Sequence, residues 1–298
     1  MSEVSELSNA ERDFLRPYLP TKTVPVAPQP DDGRTTNDHS PNNDGDTGGG
    51  SSVGKSGPTK ATNLPFVTLT YASSLDSMIS LAPGLRTALS GPETKSMTHY
   101  LRLQHDAILI GVGTAIPDNP GLNSRYPGAS LATQPRPIIV DPQMRWNVYG
   151  SKLAQLAIEK QGKGPWLIHT LRSLPRSDNM NEWGGERLLL PADDVNDDHT
   201  EKERLKWSTI LEALKAKGIN SVMIEGGANI ISSLLGMPEL VDSVVITIAP
   251  TWLGVGGVTV SPEAKTSGGE RINAAHLQET SWRQFGQDAV LCGRLSAS

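Results

Sequence analysis

The chain has 298 residues, a formal charge of −5 from 27 Lys and Arg against 32 Asp and Glu, and one cysteine, Cys292. A single cysteine excludes an intrachain disulfide framework and any cysteine-rich zinc site, and scattered basic residues with no RNA-binding aromatic motif argue against a nucleic-acid partner. No apolar run reaches transmembrane length and the acidic start, MSEVSELSNAERD, has no hydrophobic signal core, so a cytoplasmic protein with no membrane partner is expected.

In chain order, residues 8–19 open with a capping-box pattern, Ser8 with Glu11, followed by Phe14, Leu15, Tyr18 and Leu19. Residues 1–20 therefore read as a short docking helix or a frayed end. Residues 21–62 are Pro, Asp, Asn, Gly, Ser and Thr with almost no large apolar side chains. Such a stretch buries too little surface to offset ordering entropy, and a disordered linker is expected. Residues 63–298 suit one α/β domain.

PFVTLTYA (65–72) predicts a strand, with Val67, Leu69 and Tyr71 on one face and Phe66, Thr68 and Thr70 on the other. SGPETKSMTHYLRLQ (90–104) predicts a helix with Pro92 in its first turn. Further strands are predicted at 107–110, 136–140, 164–170 and 186–190. The clearest helix is 201–218, where Trp207, Ile210, Leu211 and Leu214 fall on one face and Gly218 suits the position after its end. Strands at 221–225 and 241–250 follow, with at least one more in 281–293. Alternating strands and helices predict a central, mostly parallel sheet flanked by helices. The last strands follow one another without a helix, which predicts an antiparallel C-terminal edge. DDVNDDH (193–199), in a polar loop over 171–200, reads as solvated, and no metal site is expected.

Two strand exits carry chemistry. SVMIEGGANIISSLL (221–235) is an apolar strand, a glycine turn and the start of a helix. That junction aims backbone N–H groups and a positive dipole end at a docked ligand, and phosphate suits both. GVGTAIPDNPGLNSR (111–125) leaves the strand at 107–110, and the carboxyl ends of parallel strands are where open α/β sheets place ligands. Thr114 offers a hydroxyl, the Asp118–Gly121 turn presents polar side chains, and Arg125 can pair with a phosphate or carboxylate. The second stretch fails as a Rossmann fingerprint, because position 116 is Ile and no helix is expected to open there. Asp76, in TYASSLDSMIS (70–80), sits just past the first long strand, and Arg102 lies on the 90–104 helix.

Together, SLDS, then LR…DAILIGVGT…DNPGLNSR, then IEGGANII…VDSVVITIAPTWLG resemble the reductases of riboflavin biosynthesis over about residues 64–260. More narrowly they are similar to the fungal-type 2,5-diamino-6-ribosylamino-4(3H)-pyrimidinone 5′-phosphate reductases. The resemblance implies a dihydrofolate-reductase-like fold, NADPH as cofactor, a homodimer, and reduction of a pyrimidine's ribosyl side chain to ribityl. It implies cofactor contacts at Thr114, Asp118, Gly226, Gly227, Ala228, Asn229 and Ile230, and more loosely at Ile168. It implies substrate contacts at Arg102, Arg125 and Glu225, and catalytic parts for Asp76 and Glu225. The family's S-L-D-G motif has Ser77 here in place of its glycine. Bacterial relatives often carry a zinc deaminase that needs H-x-E and P-C-x-x-C; with one cysteine this chain cannot do that chemistry, so a stand-alone reductase acting before deamination is expected. Arg145, Arg172 and Arg176 are candidate readers of a 2′-phosphate. The alternatives are a pterin reductase related to dihydrofolate reductase and a non-catalytic nucleotide-binding protein.

Overall fold

The computed structural model describes residues 4–21, 63–171, 179–192 and 205–296. Residues 22–62 of the linker predicted over 21–62, Arg172, Arg176 and the acidic stretch 193–199 lie outside the described residues.

Helix α1 (Asn9–Leu15) has both halves of the capping box: Glu11 N–H donates to Ser8 Oγ at 3.3 Å, and Ser8 N–H donates to Glu11 Oε2 at 2.7 Å. A single 3₁₀ turn carries on to Tyr18. This segment is docked: Leu7, Leu15 and Tyr18 are buried in one cluster with Met97, Leu101, Phe285, Val290 and Cys292. Tyr18 donates its hydroxyl hydrogen to the Glu279 carbonyl at 2.6 Å, and Leu7 N–H donates to the Tyr126 hydroxyl at 2.8 Å. Each fully buried leucine there contributes roughly 1.5–3 kcal/mol. Burial pushes the Cys292 thiol up to about 12, so it stays a protonated, apolar filler.

The folded body then runs β1 (Phe66–Ser73), β2 (Met78–Ser80), α2 (Pro92–Gln104), β3 (Ala107–Gly111), α3 (Val112–Asp118), β4 (Arg136–Val140), α4 (Lys152–Ile158), β5 (Trp166–Thr170) and β6 (Glu186–Leu190). It continues through α5 (Trp207–Ala216), β7 (Ser221–Gly226), α6 (Ala228–Leu235), β8 (Ser243–Ile248), β9 (Val258–Thr259), β10 (Lys265–Ser267), β11 (Glu270–Ile272), β12 (His276–Phe285) and β13 (Asp288–Ser296). Nine strands make one sheet in the order β12-β13-β8-β1-β7-β3-β4-β5-β6. From β8 to β6 every pairing is parallel, while β13 runs antiparallel to β8 and β12 antiparallel to β13. The mixed α/β architecture with an antiparallel C-terminal edge is the one expected from the sequence.

The period-2 pattern of β1 sets its faces. Val67 and Leu69 enter the core under α5 and α6, with Ile210, Leu214, Ile231 and Leu234. Thr68 points the other way and is fully buried, with its hydroxyl 2.8 Å from His105 Nε2 and 3.1 Å from Ser243 Oγ, so its polar atom is satisfied. That second face is covered by α1 and α2 at one end and by α3 and α4 at the other. Helix α2 starts at Gly91, whose N–H donates to Asp288 Oδ2 at 2.8 Å; the Thr94 hydroxyl donates to the same oxygen. A carboxylate from the C-terminal hairpin thus stabilises the positive end of α2.

One expectation is corrected. A helix does open after β3: α3, despite Gly113 and Pro117 within it. Those residues cost about 1 and 3 kcal/mol against alanine in a helix interior, but Pro117 sits in the last turn and Ala115 is buried among Ile110, Ile139 and Leu153. Packing overrides propensity here. No helix among the described residues is long and apolar enough to cross a membrane.

Candidate functional site

The carboxyl ends of β1, β7, β3 and β4 open into a cleft of about 2130 Å³. Sites for one small ligand run to roughly 300–1,000 Å³, so this cleft has room for two.

Two glycine corners form one wall. At the first, β3 turns into α3 and presents Gly113, Thr114 and Asp118 to the cleft. At the second, β7 turns into α6 and presents Gly227, Ala228, Asn229 and Ile230. The corners touch: a Cβ on Gly227 would stand 2.7 Å from Thr114 Oγ1, and one on Gly111 would stand 2.9 Å from Ile230 Cδ1. Gly226 has φ 128°, a conformation L side chains rarely adopt, and the Gly226–Gly227 peptide is cis. The first N–H groups of α6 have no partner within the helix and face the cleft end of the dipole. Nothing lies within 4 Å of where a Gly113 Cβ would be, so a ligand can lie flat against that backbone. Burial raises the Asp118 carboxyl above its usual range, and the charge of Arg86 works against that rise.

Further lining side chains come from α2, the loop before β4 and the end of β7. Arg102 grips Glu225 with two parallel bonds, Nε to Oε1 at 2.9 Å and Nη2 to Oε2 at 2.8 Å, and its Nη1 donates to the Asn123 carbonyl at 3.1 Å. The two side chains are only 14% and 17% exposed, so the pair is held in a partly dry wall. Arg125 N–H donates to His99 Nδ1 at 3.1 Å, and Arg125 Nη2 lies 3.0 Å from His99 Nε2. Burial, then the charges of Arg102 and Arg125, push the His99 imidazole down to about 3. The linkage sign follows. Below about 6.5 an unfolded His99 takes up a proton that the folded one refuses until about pH 3, so stability declines as pH falls through that window. Urea melts at pH 7 and pH 5 are expected to show a larger loss for the wild type than for His99→Asn.

Of the residues expected at the site, Arg102, Thr114, Asp118, Arg125 and Glu225 line the cleft. So do Gly227, Ala228, Asn229 and Ile230, while Gly226 lies just behind them in β7. Two others are placed elsewhere. Ile168 is fully buried in the core, and its carbonyl accepts the Asp141 N–H at 2.9 Å. The Asp76 carboxylate accepts the Ser74 hydroxyl and the N–H groups of Leu253 (3.1 Å) and Gly254 (2.8 Å), which together hold it below the usual carboxylate range, the Ser74 bond foremost. It fastens the 251–254 loop rather than lining the cleft. Ser77, where the related motif has glycine, adopts φ 61°, the left-handed region that explains the glycine. Arg145 lines the cleft just past β4, its side chain 55% exposed and its N–H held by Asp141 Oδ1 at 3.0 Å. Sequence reasoning missed His99, although it stands one turn before Arg102 and so shares its helix face.

The RibD C-terminal domain family model matches residues 65–291. The chain is 42% identical over 241 residues to the 2,5-diamino-6-ribosylamino-4(3H)-pyrimidinone 5′-phosphate reductase of Saccharomyces cerevisiae, covering 80% of this chain and 91% of that protein. It is 43% identical over 246 residues to the protein of the same name from Eremothecium gossypii, covering 80% and 92%. Among solved structures it is similar to the S. cerevisiae riboflavin biosynthesis reductase Rib7, with a TM-score of 0.64 at 40% identity, over 80% of this chain and 93% of that one. Acinetobacter baumannii RibD shares the fold, with a TM-score of 0.61 at 23% identity, over 79% of this chain and 59% of that one.

Proposed function

Since this chain belongs to the RibD C-terminal domain family, we propose that it is the oxidoreductase that converts the ribosyl side chain of 2,5-diamino-6-ribosylamino-4(3H)-pyrimidinone 5′-phosphate to ribityl, in riboflavin biosynthesis, with NADPH as reductant. The observation that carries the reading is that one cleft is lined both by the two touching glycine corners and by the Arg102–Glu225 pair with Arg125. Plain phosphate binding has no need of a carboxylate locked to an arginine.

The corners fit a dinucleotide. Gly227 has no room for a side chain, Gly113 leaves a bare backbone, and the N–H groups of Ala228 and Asn229 at the start of α6 would meet a pyrophosphate. When bound, the cofactor supplies a hydride. Of the three candidate arginines, Arg145 is among the described residues and lines the cleft, and it would read a 2′-phosphate. Thr114 and Asp118, at the corner between β3 and α3, would contact the dinucleotide. Arg125 takes the anionic end of the substrate, and Glu225, fixed by Arg102, accepts from a sugar hydroxyl or the pyrimidine. The sugar ring opens by breaking the bond between C1′ and the ring oxygen; the amine N–H proton passes to that oxygen as a hydroxyl, and C1′ is left as an electrophilic imine carbon. C1′ would then take up hydride, and the imine nitrogen one proton from solvent, which restores the amine. The protein supplies position and field. Asp76 acts through the 251–254 loop, and Ile168 through the packing beneath the site. The same reading includes a cytoplasmic homodimer; a monomer mass by light scattering would overturn the dimer.

The test is NADPH oxidation with the diaminopyrimidinone ribosylamine phosphate, beside its deaminated counterpart, dihydrofolate, and NADH in place of NADPH. Turnover of the first substrate with preference for NADPH is expected. Activity only with the deaminated compound would move the enzyme after deamination. Turnover of dihydrofolate would replace the substrate assignment.

A further inference from the structure

We propose that His99 is a positioning residue for the substrate: anchored at Nδ1 by the Arg125 backbone, it keeps a proton on Nε2 and, side by side with the Arg125 guanidinium, donates to one phosphoryl oxygen of the substrate. This rests on the functional reading above.

The reason is a count of donors and acceptors. A neutral imidazole has one N–H and one acceptor nitrogen, and a guanidinium only donates. Arg125 brings two donors to this one ring, its backbone N–H at Nδ1 (3.1 Å) and Nη2 at Nε2 (3.0 Å). Only one of them can be accepted. The backbone contact is the fixed one. Ser124, its neighbour, donates its hydroxyl to the His99 carbonyl at 2.7 Å and its N–H to Gln134 Oε1 at 2.6 Å, and Tyr126 N–H donates to Ser124 Oγ at 3.2 Å. The guanidinium sits instead at the end of a rotatable chain. Nδ1 is therefore the acceptor, Nε2 carries the hydrogen, and the 3.0 Å contact sets donor against donor; the Asn123 backbone carbonyl near the ring already accepts Arg102 Nη1.

Protonating the ring does not relieve this, because both nitrogens would then donate beside two guanidinium groups. An acceptor oxygen does. One oxygen placed between Nε2–H and Nη2 satisfies both groups and turns a repulsive contact into a two-point clamp. The charge around the site favours an anion. Glu225 is consumed by Arg102, no carboxylate among the described residues forms an ion pair with Arg125, and Lys95, on the same face of α2, also lines the cleft. Of the substrate's groups, the phosphate is the anion.

Two variants separate this from a structural role. Asn at position 99 keeps an acceptor near Nδ1 but loses the donor at Nε2; Gln places an N–H near Nε2. For His99→Asn the substrate KM is expected to rise about tenfold, as for loss of a hydrogen bond to a charged acceptor, with kcat and the NADPH KM within about twofold. Ribose 5-phosphate, used as a competitive inhibitor, should weaken in parallel, and His99→Gln should recover most of both. In the ligand-free protein, ¹⁵N spectra of the histidine rings should show His99 as the Nε2–H tautomer. A wild-type substrate KM in His99→Asn, equal losses in both variants accompanied by a lower Tm, or an Nδ1–H tautomer would each overturn the inference alone. Failure of the wild type to turn over the substrate would take the functional reading down with it, and the two failures are thereby told apart.

Discussion

Replacing Glu225 with alanine is expected to lower kcat/KM by at least about a hundredfold while leaving NADPH affinity within a few-fold. The carboxylate is locked by two bonds, from Arg102 Nε and Nη2, and the pair is 14% and 17% exposed. Removing one member of a buried pair costs roughly 3–5 kcal/mol, because the partner's charge is left without compensation. At the wall of an open cleft, water reclaims part of that. A remaining loss of about 2–3 kcal/mol corresponds to roughly a hundredfold. Arg102 would also be free to swing toward any anion in the cleft, so a substrate that still binds would bind misplaced. Glu225→Gln keeps the shape, and a comparable loss there assigns the effect to charge. Steady-state kinetics beside fluorescence titration with NADPH reads both quantities. If cofactor affinity falls as far as turnover, Glu225 belongs to the scaffold of the glycine corner and not to the substrate wall.

The opposite pattern is expected for Gly227→Ala, with NADPH affinity falling about a hundredfold and the affinity for ribose 5-phosphate unchanged. A methyl group there meets Thr114 Oγ1 at 2.7 Å, closer than real side chains approach. Thr114 must rotate out of its position or the start of α6 must move, and a displacement near 1 Å in a positioning element can cost about two orders of magnitude. The double variant Gly227→Ala with Thr114→Ala removes the collision. It should regain the lost Tm without regaining NADPH affinity, since the Thr114 hydroxyl is gone. Wild-type NADPH affinity in the single variant would remove this corner from the cofactor site.

The elements of the fold were legible where the signal is local. Alternation marks β1, helical spacing marks α5, and the E-G-G turn marks the corner between β7 and α6, because each arises from residues that are neighbours in the chain. What could not be read is what folding brings together from afar. Arg102 and Glu225 meet across 123 positions, and neither residue's neighbours announce the other. Asp76 reads as an acid in a polar turn, yet its carboxylate binds N–H groups 177 and 178 positions away. Helix α3 was hidden by its glycine and proline, whose cost is met by the burial of Ala115. His99 was within reach of local reasoning, since its spacing to Arg102 puts both on one helix face, but its significance needs Arg125 beside it.

The place of β1 in the sheet also bears on how the protein is made. It is the first of the described strands in chain order, yet its neighbours are β7 and β8, with Phe66 opposite Ser221 and Thr68 opposite Ser243. Strands β3 to β6 are neighbours in both sequence and space and can assemble as they emerge. The centre of the sheet cannot close until the last quarter of the chain is available, so long-range parallel pairing sets the pace. During synthesis β1 waits with its apolar face uncovered, the state in which nascent chains engage chaperones or aggregate. A chain stalled before residue 221 holds both edges of the cleft apart, and catalytic competence arrives late and all at once.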